Sequence, residues 1–254
     1  MLRETVLAGF LALHDEPSYL EIGVHSGHTF HPLKAAFKVA VDPDFQFELP
    51  SPSVTSSVEY HQVTSDRYFG TIADPARKFD VIYVDGLHTA EQTLRDVLNA
   101  VEWLHDDGVI VVDDVIQSSY AASLPDFDDF DRVRKAIAVE SGGHAWMGDV
   151  YRVVFFVQAF MQGWDYRVVE ESHGQLVMWR SRRPAVAHPE RTLEWTGRVD
   201  MVTMIKSFDD MQRTPYAEIL AAYEAAMERR RAAISRPTGP RAFKPFLTPD
   251  PVEP

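Results

Sequence analysis

Five short apolar runs in the first half of the chain each carry an acid within them or directly after them. They are SYLEIGV (18–24), VAVD (39–42), VEYHQV (58–63), FDVIYVD (79–85) and VIVVDDV (109–115). Runs of this length, rich in valine and isoleucine, read as buried strands rather than helices. Between the last two lies TAEQTLRDVLNAVEWLH (89–105). There Leu94, Val97, Leu98, Val101 and Leu104 recur at helical spacing, behind a Thr89 able to cap the start. Residues 30–38 are also expected to be helical, with Pro32 in the first turn, where a missing N–H costs little. VYRVVFFV (150–157) and GQLVMWR (174–180) are two further elements, the second a strand. Strands alternating with helices predict a mostly parallel sheet covered on both faces.

The predicted organisation is a domain over 1–185 and a C-terminal extension over 186–254. The extension has a helical stretch near 214–234, with Ile219, Leu220, Tyr223 and Met227 on one face. It ends in a proline-rich tail unsuited to regular structure. With 254 residues and 45% hydrophobic content, the chain is long enough for one sizeable core. The net charge of -13 argues against nucleic acid and anionic membrane as partners, since both are bound by basic faces. The absence of cysteine excludes disulfides, thiolate metal sites and cysteine nucleophiles. No apolar run approaches the roughly 18 residues of a membrane span. The first residues lack a signal-peptide cleavage pattern and carry Glu4, Asp15 and Glu16. The expectation is a cytoplasmic protein, with a homo-oligomer left open.

In an open parallel sheet, ligands bind beyond the carboxyl ends of the strands, where strand order reverses. Glu21, Asp42, Asp66, Asp85, Asp113 and Asp114 all fall in or just after strands, so several acids converge on that edge. One such acid alone reads most simply as a loop start or helix cap. In EIGVHSGH (21–28), Gly23 and Gly27 flank a tight strand-to-helix turn, where glycine permits backbone angles and close approach that a side chain blocks. The stretch lacks the GxGxxG spacing that cradles a dinucleotide pyrophosphate. Asp42 follows at a distance suited to holding a ribose diol. That combination fits a nucleoside cofactor without a pyrophosphate. His25, His28 and His31 are better read as loop residues than as a zinc site.

EIGVHSGHT, VDPD, VTSD, FDVIYVDGLHTAEQTLRDVLNA and GVIVVDDV together resemble class I S-adenosylmethionine-dependent methyltransferases over about residues 18–185. The DGLH stretch and the helix behind it are similar to the metal-dependent macrolide sugar O-methyltransferases of the mycinamicin and tylosin type. The resemblance implies an α/β Rossmann-like sandwich with a seven-stranded sheet, parallel except for its last strand. It implies that Glu21, Gly23, Ser26 and Gly27 form the methionine-side loop, with Ser26 standing where many relatives carry glycine. Asp42 would take the ribose, Ser65 and Asp66 the adenine, and Asp85 would border the cofactor. Asp85, Asp113 and Asp114 would hold magnesium or another divalent cation, and His88 would be the general base.

The chemistry agrees with that pattern. Methyl transfer from a sulfonium needs a nucleophilic oxygen in line with the methyl group. A divalent cation lowers a hydroxyl's pKa and orients it, and an imidazole can accept the proton. The expected function is O-methylation of a small-molecule acceptor, a sugar or another natural product. Two other readings are a nicotinamide-dependent oxidoreductase, disfavoured by the glycine spacing, and a non-catalytic scaffold that binds adenosylmethionine.

Overall fold

The computed structural model describes residues 1–136, 145–172, 174–184 and 188–234. In chain order the elements are α1 (Arg3–Leu11), β1 (Ser18–Ile22), β2 (Phe37–Val41), β3 (Val58–His61), α2 (Ser65–Arg67), β4 (Phe79–Val84), α3 (Ala90–Trp103), β5 (Leu104–Val112), α4 (Phe127–Ala136), α5 (Tyr151–Phe160), β6 (Trp164–Val169), β7 (Leu176–Arg180), α6 (Leu193–Arg198), α7 (Met201–Lys206), β8 (Arg213–Thr214) and α8 (Tyr216–Ile234). The strands form one sheet in the order β3-β2-β1-β4-β5-β7-β6-β8. Every neighbouring pair is parallel except those of β7, which runs antiparallel to both β5 and β6. Strand order reverses between β1 and β4, which places the binding crevice beyond their carboxyl ends.

The alternation of side chains along the strands separates two cores. Leu20, Ile22, Ile82, Val84, Ile110 and Val112 face a layer that includes α3 and α5. Tyr19, Val81, Tyr83, Val109 and Val111 face α1 and α8. Fully burying one such aliphatic side chain contributes roughly 1.5–3 kcal/mol. On the second face, Phe10 of α1 makes edge contacts with Tyr216 and Tyr223 of α8. The Tyr223 hydroxyl donates to the Asp107 carbonyl at 2.7 Å, and Arg231 pairs with the Asp107 carboxylate at 2.6 Å. Helix α8 is thereby tied to the start of β5.

The parallel sheet with helices on both faces agrees with the sequence reading, as does the lone antiparallel strand. The count differs. Among the described residues eight strands form rather than seven, because the two residues of β8 add to the edge beside β6. β6 is a strand that the sequence pattern leaves unmarked. The expected helix over 30–38 is absent, and residues 28–32 are turns leading into β2. The reason is local. Lys38 Nζ donates to the carbonyls of Phe30 at 2.8 Å and Leu33 at 3.0 Å, so a side chain takes acceptors that a helical ladder would use. VYRVVFFV is the helix α5 despite its β-branched content. Val153, Val154, Phe155 and Val157 are all buried, and packing outweighs propensity there. The proline-rich tail lies outside the described residues. Among the described residues, no helix is long and apolar enough to cross a membrane.

Candidate active site at the carboxyl edge of the sheet

The loop after β1 turns sharply at Gly23 and Gly27, whose φ angles are +84° and +75°. Asp42, just past β2, braces this loop. Its Oδ2 accepts from the backbone N–H of Val24 at 2.8 Å and of His25 at 2.7 Å, and its Oδ1 accepts from Asp44 N at 2.7 Å. A carboxylate has about four acceptor positions, so capacity remains for one more hydroxyl. Ser65 and Asp66 sit in α2, which Thr64 caps by accepting from Arg67 N. Gln92 of α3 donates to Ser65 Oγ at 3.3 Å, Asp66 Oδ1 at 3.2 Å and Asp96 Oδ1 at 3.1 Å. Ser65 is buried, whereas Asp66 is exposed and pairs with Arg95 at 3.0 Å.

Asp85 follows β4, and Asp113 and Asp114 follow β5, so adjacent parallel strands deliver three carboxylates to one place. Asp114 holds the left-handed conformation, with φ +57°. A non-glycine residue there costs energy, and such strain clusters at functional sites. His88 Nδ1 lies 2.9 Å from Asp114 Oδ2, and its Nε2 lies 3.7 Å from Asp85 Oδ1. The His88 ring stacks on Trp146, with centroids 5.7 Å apart and planes at 15°. Asp85, His88 and Asp114 bring one ligand atom each to within 4.8 Å of one another. Two carboxylates and an imidazole at that spacing suit a hard divalent cation such as magnesium or manganese.

Opposite His88 stands a residue that the sequence reading did not connect with the site. Arg3, in the first turn of α1, places Nε 2.5 Å from Asp113 Oδ2, Nη1 3.3 Å from Asp85 Oδ2 and Nη2 3.6 Å from Asp114 Oδ1. Burial opposes the guanidinium charge, but the facing Asp85 and Asp113 more than offset it, and the pKa of Arg3 is raised. Burial, and after it the charge of Asp113, push Asp85 well above the usual carboxylate range, with Arg3 pulling the other way.

Glu21 lies on the same face of the sheet as Arg3, beneath the edge. Its side chain is buried and accepts from the Tyr19 hydroxyl at 2.6 Å. Burial pushes its pKa up to about 8, against the opposing effect of the Tyr19 bond. The folded protein therefore holds this proton where the unfolded chain, at an ordinary value of 4.5, has lost it. This contribution to stability is complete below pH 4.5 and is lost as pH rises through about 8. Each pH unit in that window removes up to roughly 1.4 kcal/mol. Glu21→Gln keeps an acceptor for Tyr19 and removes the titration. Its melting temperature is expected to overtake that of the wild type between pH 6 and pH 9. Parallel melting curves across that range would contradict the buried, protonated state.

Three features explain how the cluster is held. Asp149, just before α5, accepts from Ala90 N at 2.6 Å and pairs with Arg152 at 2.6 Å, so it caps the first turn of α3 from outside. Gly148 lies under the His88 carbonyl, where a Cβ would approach to 1.5 Å. Gly23 lies against the backbone of Asp85 in the same way, which joins the glycine loop to the acid cluster. His25, His28 and His31 form no metal-ligating group among the described residues. Arg3, Gln92, Asp96 and Trp146 escaped the sequence reading. The i, i+4 pair Gln92 and Asp96, on the helix after DGLH, was a visible polar interruption of an apolar stripe. Arg3 and Trp146 carried no local signal.

A family model described as a methyltransferase domain matches residues 20–115. No curated protein sequence matches the chain. Among solved structures, one described as a caffeoyl-CoA O-methyltransferase from Staphylococcus aureus aligns with a TM-score of 0.48 at 12% identity, covering 71% of this chain and 85% of that one. The O-methyltransferase TomG of Streptomyces achromogenes, from tomaymycin synthesis, gives 0.43 at 16% identity, covering 69% and 78%. MycE of the mycinamycin pathway, solved with magnesium, gives 0.41 at 13% identity, covering 69% of this chain and 48% of that one.

Proposed function

We propose that this chain, whose residues 20–115 match a family model described as a methyltransferase domain, uses S-adenosylmethionine to methylate a hydroxyl of a small molecule with the help of a divalent cation. The observation that carries the reading is the convergence of Asp85, Asp114 and His88 directly against the Gly23 loop. Cofactor loop and acid cluster share a backbone contact, so a sulfonium methyl and a hydroxyl oxygen would meet at their junction. The turn that holds Gly23, Ser26 and Gly27 would border the methionine end of the cofactor. Asp42 has acceptor capacity left for a ribose hydroxyl, and Ser65 and Asp66 border the adenine side. Asp85 and Asp114, with Asp113 behind them, would hold the cation, which supplies charge that lowers the pKa of the acceptor hydroxyl.

The chain's own contribution is a positioned base. Asp114 Oδ2, 2.9 Å from His88 Nδ1, would favour a proton on that nitrogen and leave Nε2 as the base. Trp146 fixes the ring plane. Nε2 would accept the hydroxyl proton as the oxygen takes the methyl group, and the cofactor would leave as a neutral thioether. A cleft of about 490 Å³ lined by Thr89, Leu94, Asp149, Arg152, Phe156 and Leu193 adjoins the His88 loop and supports a small acceptor. That volume lies within the range of small-molecule sites. The net charge of -13 disfavours a nucleic-acid acceptor.

The test is direct. Calorimetry with adenosylhomocysteine should show binding. Methyl-labelled adenosylmethionine, magnesium and a panel of sugars, catechols and glycosylated natural products should give ether-linked label. Label arriving on nitrogen, or on RNA in preference to every hydroxylated small molecule, overturns the reading.

A further inference from the structure

We propose that Arg3 is a tethered cation that competes with the divalent metal for the third carboxylate of the cluster, so that the chain carries its own alternative occupant. The proposal rests on the metal-assisted reading above. It starts from how the carboxylate oxygens are divided. Arg3 takes Asp85 Oδ2, Asp113 Oδ2 and Asp114 Oδ1, while His88 faces Asp85 Oδ1 and Asp114 Oδ2. With the guanidinium in place, a metal can reach the oxygens of Asp85 and Asp114 that face His88. With it withdrawn, all three acids are available.

Solvent cannot substitute for a counter-charge here. The Asp113 side chain is fully buried, and those of Asp114 and Asp85 are 5% and 13% exposed. Three carboxylates this close and this dry are ionised together only with a cation beside them. A divalent ion beside a guanidinium within a few ångströms meets strong like-charge repulsion in so dry a site. Occupancy of the third acid by one therefore weakens the other.

The geometry also shows what moves. The body of α1 is fixed, since Val6, Leu7, Phe10 and Leu11 are buried and the Tyr216 hydroxyl donates to the Val6 carbonyl at 2.9 Å. A Cβ on Gly9 would meet that same hydroxyl at 1.9 Å, so the helix sits tightly on α8. The Arg3 side chain, by contrast, is 35% exposed and reaches the site along a flexible stem. It can swing to water without the helix leaving the sheet.

Manganese titration by calorimetry, without cofactor or acceptor, tests this on the full chain. Arg3→Gln should bind Mn²⁺ at least tenfold more tightly than wild type. Arg3→Lys, which keeps one charge but cannot span three carboxylates, should fall between them and guards against a glutamine variant that fails to fold. Metal-free Arg3→Gln should also melt below wild type and gain more from added Mn²⁺, because binding to the native state stabilises it. Equal affinity in all three proteins overturns the competition and leaves the metal reading standing. Weaker binding in Arg3→Gln overturns it too, and makes Arg3 a brace that orients the acids. No Mn²⁺ binding by any folded variant overturns the metal reading together with the competition.

Discussion

His88→Ala is expected to lower turnover by ~10²–10⁴-fold, the usual contribution of a positioned general base. Asp114→Ala is expected to lose methyl transfer altogether, as is the wild type treated with chelator. The two variants separate because their residues do different work. His88 Nδ1 lies 2.9 Å from Asp114 Oδ2, and Nε2 would be the nitrogen that accepts the proton. Removing the imidazole would take away the proposed base and leave the carboxylates in place. Removing Asp114 would strip a proposed ligand from the cation, deprive His88 of its partner and unbalance Arg3, which lies 3.6 Å from the same carboxylate. The pH dependence tells them apart. Raising the pH should partly rescue His88→Ala, since hydroxide can replace a missing base, and should leave Asp114→Ala inactive. Both variants should keep their affinity for adenosylhomocysteine, because neither residue bonds to the Asp42 loop. A His88→Ala protein as active as wild type across neutral pH would make the histidine a loop residue stacked on Trp146 and nothing more.

The parts legible in the sequence were those written in local pattern. Acids at strand ends need only the strand assignment to be placed, and Asp85, Asp113 and Asp114 do gather at adjacent strand ends. The Thr89 cap was equally visible, and its side chain accepts from Gln92 N. The helix expected over 30–38 failed because the decisive partner, Lys38, reaches back to Phe30 and Leu33 from the next strand. Periodicity carries no trace of such a bond. Arg3 was invisible for a stronger version of the same reason. It lies 82 residues from Asp85 and meets it only because α1 packs on the face of the sheet that carries Tyr19, Glu21 and Tyr83. The identity of the β8 edge is likewise tertiary, since two residues make no sequence pattern and only the register with Val168 and Val169 defines them.

Gly23→Ala is expected to remove cofactor binding and turnover together. The residue holds φ at +84°, a conformation costing an L-residue roughly 1–2 kcal/mol. Space is the larger obstacle. A Cβ there would lie 2.0 Å from the Asp85 carbonyl oxygen, 2.4 Å from its carbonyl carbon and 2.5 Å from Gly86 Cα. All three are backbone atoms, so no side chain can rotate aside. The β1 loop and the β4 loop must separate, and both belong to the site. On one side, Val24 and His25 carry the N–H groups that Asp42 holds at 2.8 and 2.7 Å, so the loop that would receive the cofactor loses its brace. On the other, Asp85 moves relative to Asp113 and Asp114, and the pairing Asp85 N to Ile22 O at 2.8 Å is strained. The expected result is a melting temperature several degrees lower, no measurable heat with adenosylhomocysteine, and no methyl transfer at any magnesium concentration. Gly70→Ala is the matched control. Its Cβ would meet nothing within 4 Å, and alanine there should leave binding and turnover as they are. Undiminished adenosylhomocysteine affinity in a folded Gly23→Ala protein would place the cofactor away from this loop, and the division of labour between the glycine turn and the acid cluster would have to be drawn again.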